Sequence, residues 1–120
     1  MPREPRLALQ HVLQAILEIE QFALGKTIED YRSDRLLQRG IERCIEIISE
    51  ASRSIPDDFK ADHPGLPWQD IASIGNRLRH NYDDISEGIT WNVVAVEIDR
   101  MKRAIEAMAA KHGIDIHSDD

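Results

Sequence analysis

Hydrophobic positions recur along this chain with the period of an α-helix. Leu9, Val12, Leu13, Ile16, Leu17, Ile19 and Ala23 form one stripe with helical spacing. Pro5 suits a first turn and Gly25 a stop, so a first helix is expected over about 5–24. His11 lies at the edge of that stripe, as a half-buried packing residue. Thr27-Ile28-Glu29-Asp30 reads as a capping box opening a short helical turn. Ser33 or Asp34 then caps a second helix, in which Leu37, Ile41, Cys44, Ile48 and Ala51 repeat at the 4-3-4-3 spacing of a coiled-coil seam. That helix ends near Arg53, because the residue before Pro56 is pushed out of the α region.

Residues 56–67 contain Pro56, Pro64, Gly65 and Pro67 and read as the longest loop, with room for one helical turn over Asp57 to Ala61. Pro67 suits the first position of a third helix, over about 67–82. Its apolar stripe is Trp68, Ile71, Ile74, Leu78 and Tyr82. Gly75 falls in the interior of this helix, where glycine costs about 1 kcal/mol relative to alanine. A neighbouring helix approaching closely at Gly75 would compensate. After a polar connection from Asp83 to Gly88, a fourth helix starts near Ile89–Trp91. It carries Val94, Ile98, Met101, Ile105 and Met108 on one stripe and stops at Gly113, after Lys111 and His112. The acidic tail from Ile114 to Asp120 is expected to fray. The pattern predicts an all-α protein of one domain: an antiparallel four-helix bundle with a short extra helical turn. Surplus apolar surface on the seams favours a homodimer.

Charge narrows the partners. The formal net charge is −7, which argues against binding nucleic acid through the overall field. Any RNA contact needs a local basic patch. Arg32, Arg35, Arg39 and Arg43 are candidates, although they read more readily as a solvated helix face; Arg77 and Arg79 offer another. The one cysteine, Cys44, excludes an intramolecular disulfide, fits a reducing compartment and reads as a small core residue. No apolar run approaches the roughly 20 residues of a membrane span, and the amino terminus leads straight into an amphipathic helix, so a cytoplasmic protein is expected. His63, His112 and His117 have no partners at metal-ligand spacing, and there is no glycine-rich phosphate loop, so no metal or cofactor is implied.

Side chains suited to chemistry gather in one place. At about 100° per residue, Asn76, Arg77 and His80 share a polar arc beside the apolar stripe of the third helix. Histidine titrates near neutrality and serves as general base or acid. An arginine beside it holds a phosphate in bidentate fashion. This combination suits RNA cleavage without a metal: His80 takes the proton of a 2′-hydroxyl and a guanidinium stabilises the phosphorane. The same residues also read as an ordinary helix C-terminus, with a histidine near the negative end of the dipole. Tyr82 likewise reads as a packing tyrosine with a wet hydroxyl.

The stretch Leu66-Pro67-Trp68-Gln69-Asp70-Ile71, followed by Gly75-Asn76-Arg77-Leu78-Arg79-His80-Asn81-Tyr82, resembles the HEPN-domain toxins of the HepT type. So do the upstream segment from Asp34 to Ala51, with Arg43, Glu46 and Glu50, and Trp91 at the start of the next helix. The resemblance implies a HEPN-type helical bundle, paired as a symmetric dimer whose signature helices line a shared cleft that cleaves RNA without metal. It further implies a nucleotidyltransferase antitoxin as partner, which uses ATP to attach AMP to the motif tyrosine. Carried over by position, His80 is the catalytic histidine, Asn76 the polar residue after the motif arginine, and Tyr82 the AMP acceptor. The family's arginine falls at position 75, where this chain has Gly75. Candidate replacements are Arg79, one turn on and expected to reach back toward the vacated space, and Arg77 or Arg79 of a dimer mate.

Overall fold

The computed structural model describes residues 4–80 and 87–117, with side chains described for 4–78 and 87–117. All regular structure among them is helical. In chain order the elements are α1 (Pro5–Ala23), α2 (Ile28–Ser33), α3 (Arg35–Ser52), α4 (Asp57–Ala61), α5 (Trp68–His80), α6 (Glu87–Asn92) and α7 (Ile98–Lys111). A π-helical turn, Val93–Glu97, joins α6 to α7, and both junction residues keep αR backbone angles. The fourth expected helix is therefore one rod, starting at Glu87 rather than Ile89 and widened by one turn. Among the described residues no helix is long and apolar enough to cross a membrane.

The core follows the expected stripes. Leu9, Val12, Leu13, Ile16 and Ile19 of α1 are buried against Ile41, Cys44, Ile45 and Ile48 of α3 and Met101, Ile105 and Met108 of α7. Leu17 departs from the prediction and stands exposed on the outer side of α1. It lies off the line of Leu13, Ile16 and Ile19, which faces α3. Burial of these aliphatic side chains, at about 1.5–3 kcal/mol each, is the main source of stability.

Local signals fix the element ends. The Thr27 Oγ1 accepts the Asp30 backbone N–H at 3.2 Å, and the Asp30 carboxylate accepts the Thr27 N–H at 2.9 Å, which completes the capping box of α2. These bonds hold the Asp30 carboxyl below its ordinary range. Asp34 caps α3 by accepting the Leu37 N–H. Gln38 then reaches back, donating to the carbonyls of Tyr31 and Arg32 at the end of α2. Tyr31, turned inward by α2, is buried with its ring 5.4 Å from that of Trp91. Pro67 stands just ahead of α5, its carbonyl accepting the Ile71 N–H. Trp68 Nε1 donates to the His63 carbonyl, and Arg100 donates to that of Gly65, so the loop ahead of α5 is tied at two points.

The tail does not fray as far as expected. Ile116 is buried, and Arg6 Nε donates to the Asp115 carbonyl, so residues 114–117 fold back across the start of α1. His112 stacks on Phe59 of α4, with ring centroids 3.8 Å apart.

Cys44 is buried, its thiol donating to Glu18 Oε2 at 3.7 Å. Burial, reinforced by the Glu18 charge, pushes the thiol from its ordinary 9.0 up to about 11. The folded chain therefore holds this proton where the unfolded chain releases it. The stabilising contribution is full below pH 9 and is lost as pH rises through about 11. Native protein at pH 8 is expected to react with iodoacetamide at least tenfold more slowly than protein unfolded in guanidinium. Equal rates by mass spectrometry would contradict this placement.

Candidate active site

Two helices build the edge on which the chemistry-bearing residues stand. Helices α3 and α5 run antiparallel: Arg53 and Ser49 meet Ala72, and Ser49 and Glu46 meet Gly75. Position 75 is where the two backbones come closest. A Cβ built on Gly75 would lie 2.8 Å from both Cβ and Oγ of Ser49 and 3.5 Å from the Glu46 Cα. Only a residue without a side chain fits there. The Gly75 N–H donates to Ser49 Oγ at 3.1 Å, and that hydroxyl donates to the Ala72 carbonyl at 2.9 Å. The interior glycine is thus compensated by the close helix approach that its cost called for.

No vacated space remains at this position. Ser49 stands against it, and the Arg79 side chain, expected to reach back toward this space, lies outside the described residues. Sequence reasoning also missed Ser49 and Arg53. Ser49 stands on α3 and Arg53, four residues on, is its C-cap; Arg53 grips the same carbonyl as Ser49, with Nε at 3.1 Å and Nη2 at 2.7 Å from the Ala72 oxygen. Gly75 was the one signal that pointed to them, because it required a near neighbour.

Of the expected site residues, Asn76 and Arg77 are exposed on α5, and neither side chain bonds to another described residue. Asn76 follows Ala72 by one turn, on the flank of α5 that also carries the Arg53 contact. Arg77 lies about 100° further round, away from α3. Arg79 and His80 form the last turn of α5. Helical register puts position 80 one turn beyond Asn76 on the same flank. Their side chains, and Tyr82 entirely, lie outside the described residues.

Of the candidate basic patch Arg32, Arg35, Arg39 and Arg43, the last two are paired with carboxylates. Arg39 pairs with Glu42 at 3.0 Å and Arg43 with Glu46 at 3.4 Å, which supports reading it as a solvated face. Among the described residues no cluster of histidine, cysteine or carboxylate groups could hold a metal ion. An apolar cavity of about 220 Å³, lined by Ile45, Ile48, Ile71, Ile74, Val93 and Met101, opens on the other flank of α5. It shares no residue with the polar arc.

Comparison with known proteins places this arrangement. The family model described as "Ribonuclease HepT-like" matches residues 12–108, a span running from α1 through α7 that includes Gly75 to Tyr82. The chain belongs to the HepT-like ribonuclease family. Among its relatives is "Probable ribonuclease HepT" of Thermococcus cleftensis, 34% identical over 108 residues that cover 90% of this chain and 98% of the relative. "Putative RNase TTE0752" of Caldanaerobacter subterraneus is 30% identical over 109 residues, 91% of this chain and 97% of the relative. A two-function relative, "Gamma-glutamylcyclotransferase and putative RNase MJ0434" of Methanocaldococcus jannaschii, is 32% identical over 105 residues, covering 88% of this chain and 47% of that protein. No solved structure matches the chain at a significant level. Membership of the HepT-like family bears out the resemblance and agrees with the all-helical architecture.

Proposed function

We propose that the chain is the cytoplasmic toxin of a HepT-type pair, a homodimeric endoribonuclease that needs no metal. Its partner is a nucleotidyltransferase antitoxin that attaches AMP to Tyr82. The observation that carries this reading is the family match across the signature stretch, joined to Asn76, exposed and bonded to no other described side chain, one helical turn from position 80.

The chemistry follows from those groups. His80 accepts the 2′-hydroxyl proton, the 2′-oxygen bonds to phosphorus, and the bond from phosphorus to the 5′-oxygen breaks. The leaving 5′-oxygen takes a proton from an imidazolium. Asn76 donates to a non-bridging phosphate oxygen, and a guanidinium offsets the charge that builds there. The products are a 2′,3′-cyclic phosphate and a 5′-hydroxyl. In a dimer the two α5 edges face one groove, so RNA meets both imidazoles. AMP on Tyr82 adds a charged, bulky group two residues from His80 and keeps a phosphate out.

Single-stranded RNA incubated with the purified protein should yield fragments ending in 2′,3′-cyclic phosphate. With the antitoxin and ATP, intact mass should rise by the weight of AMP, and Tyr82→Phe should abolish that gain. Fragments with other ends would overturn the mechanism, and a mass gain surviving Tyr82→Phe would overturn the acceptor.

A second reading is favoured by the filled seat at Gly75. In it the dimer keeps its nucleotidyltransferase partner but has lost catalysis, and acts as a binding and regulatory module. RNA that is bound but never cut would select this reading.

A further inference from the structure

Resting on the reading that RNA meets the α5 edge, we infer that Arg53 of α3 supplies the phosphate-binding guanidinium that position 75 cannot. Gly75 faces Ser49 with no room for even a methyl group, so no side chain from that position reaches the surface. Arg53, the C-cap residue of α3, stands four residues from Ser49 and crosses the same seam. It grips the Ala72 carbonyl through Nε and Nη2. In helix geometry that carbonyl points toward residue 76, so the fork is held on the flank of α5 that also carries Asn76. The two groups share one flank of α5, Asn76 one helical turn before position 80 and the Ala72 anchor of the fork two turns before it.

The charge on Arg53 is oriented yet only lightly compensated. A carbonyl fixes the plane of the guanidinium without cancelling its charge. Among the described residues the one carboxylate paired with it, Glu50 Oε2, lies at 4.0 Å from Nη1, and both side chains are substantially exposed. Arg39 and Arg43 differ, each having a carboxylate oxygen at 3.4 Å or closer. Arg77 is exposed, but no described residue holds it, and it faces away from the seam. A pre-oriented fork loses less freedom on binding an anion than a mobile one. The exposed Nη1 edge of Arg53 and the Asn76 amide together form a two-sided seat for one backbone phosphate. Along the α5 axis Asn76 stands about 6 Å, and the Ala72 anchor of the fork about 12 Å, before position 80. The site takes a phosphodiester of single-stranded RNA, and the seat is assembled from two helices instead of from one motif.

Fluorescence anisotropy with a labelled, uncleavable 2′-O-methyl RNA tests this between 50 and 200 mM salt. The variants are Arg53→Gln and Arg53→Lys, each also melted by circular dichroism. Arg53→Gln should weaken binding about fivefold at low salt and make the slope of log affinity against log salt shallower by about 0.7, the loss of one phosphate contact to a single strand. Arg53→Lys, which also loses the planar fork on Ala72, should melt like Arg53→Gln yet keep the wild-type slope. An unchanged slope in Arg53→Gln, with wild-type binding intact, would overturn the role of Arg53 alone. Equal flattening in both variants would also overturn it and leave Arg53 a structural clamp. Absence of binding by the wild type would overturn this inference and the ribonuclease reading together.

Discussion

Gly75→Arg, the change that would recreate the family's arginine, is expected to destabilise this protein rather than activate it. The new Cβ would sit 2.8 Å from the Ser49 Cβ, an atom fixed to the α3 backbone that no rotamer change can move. Helices α3 and α5 must then part, which breaks the bonds from Gly75 to Ser49 and from Ser49 to Ala72. Overpacking of this kind costs about 1–3 kcal/mol, and leading a guanidinium out of a closed seam adds desolvation. A loss of about 3 kcal/mol or more, or roughly 10 °C in Tm for a chain of this length, should appear in thermal melts. Gly75→Ala should lose about 1–3 kcal/mol. Pairing it with Ser49→Gly should recover part of that, because the two atoms at 2.8 Å are removed and the next nearest, Glu46 Cα, lies at 3.5 Å. A Gly75→Arg protein that melts with the wild type would show that the seam opens freely and that Gly75 does not hold it.

His80→Ala is expected to lower RNA cleavage by about 10²–10⁴-fold, the usual contribution of a positioned acid–base group. Asn76→Ala should cost less, about 10- to 100-fold, because it removes one hydrogen bond to a charged oxygen. The separation between the two variants is informative. Equal losses would mean that both only disturb the end of α5, and comparable circular dichroism spectra are needed beside the rates. A His80→Ala protein that cleaves at the wild-type rate would remove the imidazole from the mechanism.

Helix order was readable because periodicity and end signals agreed. The stripe through Leu9, Val12, Leu13, Ile16 and Ile19, the capping box at Thr27 and the stop at Gly113 each correspond to observed structure. Leu17 was misassigned because a run of apolar residues gives the width of a stripe but not its edge. The buried tail was missed because its anchor is tertiary: Ile116 finds a pocket and Arg6 finds a carbonyl more than a hundred residues away. The π-helical turn at Val93–Glu97 has no composition that distinguishes it from α-helix. At the site, Gly75 announced a close helix contact, yet its partner could be any small residue of another helix. Ser49 and Arg53 read as unremarkable positions until α3 and α5 are placed side by side.

The central claim is that the α5 edge cuts RNA with protein groups alone. The single-turnover cleavage rate of the wild-type protein, measured on one RNA with excess EDTA and again with added Mg²⁺, tests it most directly. The account predicts measurable cleavage at equal rates in both. No cleavage in either, or cleavage only with the metal, would contradict it.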